Sequence, residues 1–230
     1  MFHWLEKRPF LFAVGVFIVI AIDGFIEIIP NFAQAAQPVV GTKPYTLLQL
    51  AGREVYIRQD CNGCHSQLIR PFKSETERYG HYSLSGEYAY DRPFLWGSER
   101  TGPDLHRVAN YRTIDWNEKH LENPEALVPG SIMPPYPWLY TKLADIDTAY
   151  ASQVANWEFF HVPYNKPVPL KNGKTIVVPM ASSLAGAHAM ALKEAQAIVA
   201  QTTNKKLQAM VAAGKIPEIV ALLAYLNDLK

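Results

Sequence analysis

Cys61-Asn62-Gly63-Cys64-His65 contains both cysteines of the 230-residue chain and sets an imidazole directly beside the second thiol. Two cysteines are too few for a disulfide framework, and this pair is too close in sequence to staple a large fold, so their use is chemical. The C-x-x-C-H spacing is that of c-type haem attachment. Two thiols meet the vinyl groups on one porphyrin edge, while the adjacent histidine reaches under the plane to the iron. Two rival chemistries also use close cysteines. A thioredoxin-like redox pair expects a strand before the motif, and the residues here carry a helical stripe instead. A zinc site needs further Cys or His ligands at paired spacing, and none is evident. The motif therefore predicts one covalent haem c, anchored by Cys61 and Cys64, with His65 as an axial ligand.

A second axial ligand must come from elsewhere. Met133 is the leading candidate because it lies in Ser131-Ile132-Met133-Pro134-Pro135-Tyr136-Pro137, where prolines stiffen an extended loop that can hold the thioether in place. Met180, Met190 and Met210 lack such a setting and read as core filler. His81, His106, His120, His161 and His188 are other possible ligands, each more ordinary as a surface or hydrogen-bonded histidine. His/Met ligation leaves no open iron position, which suits electron transfer rather than substrate binding.

Working outward toward the N-terminus, Phe10 to Ile29 is almost wholly apolar. At about 1.5 Å per residue such a helix spans roughly 30 Å, the hydrocarbon thickness of a bilayer. Lys7 and Arg8 precede it and no Lys or Arg follows until Lys43, so the positive-inside bias puts residues 1–8 in the cytoplasm and the chain beyond the 9–30 anchor outside. A cleaved signal peptide is the rival reading, from Ala33-Gln34-Ala35, but the apolar run exceeds the usual core of such peptides. Asp23 and Glu27 share one face of this helix, a costly placement in lipid unless they sit shallow near the headgroups or that face meets another membrane subunit or a bound ion.

Residues 31–44 are poor in charge and read as a linker, with a cytochrome domain over 45–230. Leu47, Leu48, Ala51 and Val55 form a helical stripe within Tyr45 to Gln59 that ends at the cysteine motif. A last helix is expected from Pro217 as its first residue, with Ile219, Val220, Leu222, Leu223 and Leu226 inward. Ser182 to Ala213 reads as helix broken at Thr202 to Asn204, and Val162 to Pro179 as a hairpin or loop with Asn172-Gly173 at its tip. The balance of 22 basic against 21 acidic residues leaves no excess for neutralising phosphates, so no nucleic-acid partner is expected.

The order of helix, Cys61 to His65, Thr101-Gly102-Pro103-Asp104-Leu105, Met133-Pro134 and a final helix ending Leu223-Ala224-Tyr225-Leu226 resembles a class I cytochrome c. That resemblance implies that Pro103 offers its carbonyl to His65, fixing the imidazole's orientation. Read without the resemblance, Gly102-Pro103 is an ordinary turn. More specifically, the chain is similar to subunit II, the mono-haem subunit, of cbb3-type haem-copper cytochrome c oxidases. The residues that carry this likeness are Cys64-His65-Ser66-Gln67-Leu68-Ile69-Arg70-Pro71-Phe72, Glu75-Thr76-Glu77-Arg78-Tyr79-Gly80-His81-Tyr82-Ser83, Trp96-Gly97-Ser98 and Tyr136-Pro137-Trp138. Leu68 stands where many relatives are expected to carry Met. Residues 140–215 carry little of this likeness and read as an extra region.

The expected fold is mainly α: a single N-terminal transmembrane helix plus an elaborated class I cytochrome c-like helical domain. The resemblance implies a subunit of a bacterial inner-membrane terminal oxidase with its haem domain in the periplasm. It would take electrons from a donor cytochrome c subunit or soluble cytochrome c and pass them to the catalytic haem-copper subunit, which reduces oxygen and pumps protons; this chain carries no oxygen-reducing site. The cytochrome subunit of a nitric oxide reductase shares the layout of one anchor and one haem, and a tethered thiol-disulfide protein is the rival of another class. Tyr79, Tyr82, Tyr88, Tyr90, Phe94 and Trp96 read either as a docking surface or as a loop packed on its own domain. Arg70, Arg78 and Arg100 are candidates to pair with haem propionates or partner carboxylates.

Overall fold

The computed structural model describes residues 4, 7–33, 37–97 and 99–229; Gln34 and Ala35 of the processing motif, and Ser98, lie outside them. The chain divides into residues 1–37 and 38–230. The first unit contains α1 (Pro9–Ala33). Pro9 opens it: the first helical hydrogen bond runs from Phe12 N to Arg8 O at 3.0 Å, so proline occupies the position where its missing N–H costs nothing. Over Pro9–Ile29 the helix is long and apolar enough to cross a membrane. Phe10, Phe17, Val19, Ile20 and Ile26 are each exposed, a surface that suits lipid rather than water. Asp23 and Glu27 lie on it four residues apart.

In the second unit the described helices are α2 (Leu47–Arg58), α3 (Cys61–Cys64), α4 (Lys73–Tyr79), α5 (Ile114–Glu122), α6 (Pro124–Leu127), α7 (Ile146–Glu158), α8 (Leu184–Val199), α9 (Lys205–Ala212) and α10 (Glu218–Leu226). Strands β1 (Pro167–Pro169) and β2 (Thr175–Val177) lie between α7 and α8. Thr46 starts α2 with a reciprocal cap. Its hydroxyl accepts from Gln49 N at 3.3 Å, and its own N–H donates to Gln49 Oε1 at 2.9 Å, satisfying two donors that the helix cannot. The framework of the unit is α2 crossing α10, whose residues are all buried. The crossing is close because it occurs at Gly52: a Cβ there would lie 3.0 Å from Tyr225 Cβ and nearer still to the Ala221 carbonyl.

The last helix begins one residue later than its sequence suggests. Pro217 sits at φ −64°, ψ 151° as the N-cap rather than as the first helical residue. The cause is tertiary: Leu143 and Pro217 form an antiparallel bridge, with Ala144 N donating to Ile216 O and Glu218 N to Lys142 O, both at 2.9 Å. That pairing holds Pro217 extended.

Residues 140–215 complete the core. Ala187, Ala191 and Ala195 are fully buried along one face of α8, and their small side chains let it lie close to α2, α7 and α10. The expected break follows: Thr202 Oγ1 donates to Val199 O at 2.9 Å, and Asn204 Oδ1 caps α9 by accepting from Lys206 N and Leu207 N. The hairpin also forms, pairing Pro167 with Val177, with Asn172-Gly173 in the turn and Gly173 at φ +76°. Residues 39–43 are pinned to the same body. Gly41 N donates to Pro169 O at 3.1 Å, Val39 N to Gly86 O at 3.3 Å, and Lys43 pairs with Asp228.

Candidate functional site

α2 ends at Gln59, and Asp60 turns the chain in the left-handed region at φ 53°, ψ 36°. The next four residues make the single turn α3, so Cys61 and Cys64, three apart, fall on one side of it. Both face a cavity of about 700 Å³ together with His65, Gly102, Pro103 and Met133. Thus the two cysteines, His65, Pro103 and the leading second ligand Met133 line one space, though their positions run from 61 to 133.

The imidazole of His65 is held from behind. Its Nδ1 donates to Pro103 O at 2.8 Å, which leaves Nε2 as the nitrogen free to bind a metal. Gly102 is required at this point, because a Cβ would stand 2.6 Å from Nδ1 and 2.8 Å from Nε2. Gly102 N in turn donates to Cys64 O at 2.9 Å, so the turn and the cysteine motif are one unit. Burial pulls the pKa of His65 down against the opposing pull of the Pro103 carbonyl and Asp104, which favours the neutral, ligating form.

Burial, with the Asp60 charge adding to it, pushes the Cys61 thiol up to about 12. Redox nucleophiles need the opposite shift, toward thiolate at neutral pH, so the site does not suit thiol-disulfide exchange. Met133 is half-buried against the core cluster, and its N–H donates to Ser131 Oγ at 3.3 Å. Pro134 restricts it to extended backbone, and Gly130 at φ +77° makes the preceding turn possible. Met190 packs against the main core, and Met180 against the small cluster of Val162, Tyr164 and Val178, as filler.

Among the other histidines, His120 lines the cavity. The ordinary surface or hydrogen-bonded reading does not hold for it: its Nδ1 is buried without a partner, and the ring stacks on Trp116 at 4.6 Å, with Arg112 lying 4.0 Å above the Trp116 ring. The Arg112, Trp116, His120 spacing of four on α5 and the residues before it is the signal by which sequence reading could have grouped them. His106 is buried, its Nδ1 accepting from Ser83 Oγ at 2.6 Å. His188 pairs with Asp147 at 2.7 Å.

Arg70 and Arg100 are both engaged by the Glu75 carboxylate, and Arg100 also by Ser66, Leu68 O and Asp104. The reason is Glu75 itself, 6% exposed, which needs both cations in order to stay ionised. Those guanidiniums and the Arg70 N–H hold its pKa down, to about 2, against the burial that would raise it. Arg78 does line the cavity, its guanidinium over Tyr79 at 5.2 Å.

The aromatic segment divides. Tyr79 and Tyr88 are buried, Tyr88 donating to Gln67 O, whereas Tyr82 and Phe94 are exposed; Phe94 stacks on Trp96 at 4.6 Å. Packing on its own domain accounts for the buried members.

The family model described as "Cytochrome C oxidase, mono-heme subunit/FixO" matches residues 2–230. No curated protein matches the chain.

Proposed function

The chain belongs to the family of mono-haem subunits of cytochrome c oxidase, and from that premise we propose that it is the electron-transfer subunit of a cbb3-type terminal oxidase, binding one covalent haem c. In this reading Cys61 and Cys64 would hold the haem through thioether links, His65 Nε2 and the Met133 thioether would bind its iron, and Pro103 would orient His65. The bound haem supplies a one-electron iron couple. His65 and Met133 would leave no open position on the iron, and the Pro103 carbonyl fixes the imidazole. Electrons arrive from a donor cytochrome c subunit or soluble cytochrome c and leave to the catalytic haem-copper subunit. With Lys7 and Arg8 before α1 and no cation until Lys43, the haem domain faces the periplasm of a bacterial inner membrane.

The observation that carries this reading is the single 700 Å³ cavity whose wall brings Cys61, Cys64, His65 and Met133 together, with the His65 ring seated across Gly102 and bonded to Pro103 O. A ring that a Cβ would displace, with one nitrogen already spoken for, fits an axial ligand. The nitric oxide reductase reading has no such support from the family match.

The test is to purify the exported protein with its membrane complex and compare wild type with Met133→Ala. Wild type should retain haem through denaturation, resist thiol alkylation and fail to bind carbon monoxide. Met133→Ala should bind carbon monoxide and show a lower reduction potential, because the thioether favours the reduced iron. A mature protein with both thiols alkylatable ends the proposal. An unchanged spectrum in Met133→Ala moves the sixth ligand elsewhere, with His120 next on the cavity wall.

A further inference from the structure

The hydrogen bond from His65 to Pro103 joins two segments that no regular structure holds together: residues 66–68, just after the histidine, and residues 100–106, which contain Gly102-Pro103. What ties them is the carboxylate of Asp104. Its side chain is fully buried. Oδ2 accepts from Ser66 Oγ at 2.6 Å and from Leu68 N at 2.8 Å, and Oδ1 accepts from His106 N at 2.9 Å. Arg100 closes the arrangement from the far side. Its Nε donates to Ser66 Oγ at 2.7 Å, and its terminal nitrogen lies 3.0 Å from Leu68 O, 3.1 Å from Glu75 and 3.5 Å from Asp104. Two backbone bonds, Leu105 N to Ser66 O and Gly102 N to Cys64 O, both at 2.9 Å, run beside these.

We infer that Asp104 is a positioning residue for electron transfer, a buried anionic clamp that holds the Pro103 carbonyl on His65 and thereby helps set the reduction potential of the site. The inference rests on the haem reading above. A buried carboxylate that accepts three donors keeps its position because each donor would otherwise be unsatisfied. The amide of Asn at this position presents N–H groups to donors and cannot replace both oxygens. The charge acts in the same direction as the geometry. The nearby charges Arg70 and Arg100 balance Glu75 and Asp104, so removing one anion leaves a net positive charge, which disfavours the oxidised iron. Loosening the His65 bond makes the imidazole less electron-rich, which also disfavours it.

The experiment is spectroelectrochemical titration of the purified full-length protein as Asp104→Asn, Ser66→Ala and Ser183→Ala, with NMR of the His65 ring N–H. Ser183 caps α8 and has no part in the cavity wall, so its variant reports the effect of lowered stability alone. Asp104→Asn should favour reduction at least tenfold, a rise of about 59 mV for one electron, with an altered His65 N–H signal. Ser66→Ala, which keeps the charge, should shift the equilibrium in the same direction by at least twofold. An Asp104→Asn protein whose potential and N–H signal match wild type overturns the inference, as does an equal shift in Ser183→Ala. If Asp104→Asn does not accumulate, Ser66→Ala decides alone, and an unchanged potential there overturns it. Protein lacking a haem spectrum in wild type fails the haem reading instead.

Discussion

Individual side chains here are held by chemistry that the neighbours dictate. His106 is the clearest titratable case. It sits buried, stacked on Tyr88 at 4.8 Å, with Nδ1 accepting from Ser83 Oγ. Burial and the adjacent Arg107 pull its pKa down, from 6.5 to about 4, with Glu87 opposing. The unfolded chain therefore takes up the proton first. The stability that His106 contributes is complete above pH 6.5 and is lost as pH falls toward about 4. In chemical denaturation across that range, the advantage of wild type over His106→Gln should shrink steadily with falling pH. A constant gap would mean that His106 does not titrate this way. The sequence marked His106 only as one of five spare histidines, since neither its burial nor its serine partner is adjacent in the chain.

Among the helices, the crossing of α2 and α10 carries the fold. Ile219, Leu222 and Leu223 are at most 1% exposed, and each such side chain contributes about 1.5–3 kcal/mol by leaving water. The crossing tolerates no Cβ at Gly52, where the Ala221 carbonyl and Tyr225 stand in the way. Gly52→Ala should cost about 3 kcal/mol, at the upper end of ordinary overpacking, against the slight gain that alanine gives in an open helix. Urea unfolding would show it, and a variant as stable as wild type would place the contact elsewhere. The helices themselves were legible. The stripe Leu47, Leu48, Ala51, Val55 and the run Ile219 to Leu226 repeat at helical spacing, and Thr46 and Asn204 are good caps. The start of α10 was not legible, because a bridge to Leu143, far away in sequence, decides it.

For the molecule as a whole, the division into residues 1–37 and 38–230 puts the exposed apolar helix in one unit and the cavity in the other. A protein carrying residues 38–230 behind a cleavable export signal should fold with its haem and remain in solution after membranes are removed. The full-length chain should stay with the membrane through alkaline carbonate washing. Full-length protein released by that wash would remove the case for α1 as an anchor.

The sequence by itself carried the haem-attachment motif and the apolar helix. Cys61, Cys64 and His65 are neighbours in the chain, so their joint use could be read from spacing, and the apolar run before Ile29 is equally local. Only the tertiary structure decided what surrounds them. Arg100 serves Glu75 and Asp104, His120 joins the cavity, and α7 and α8 close the core. Local periodicity and motif spacing depend on residues a few positions apart, whereas the pairing of a buried charge depends on whatever the folded chain brings beside it.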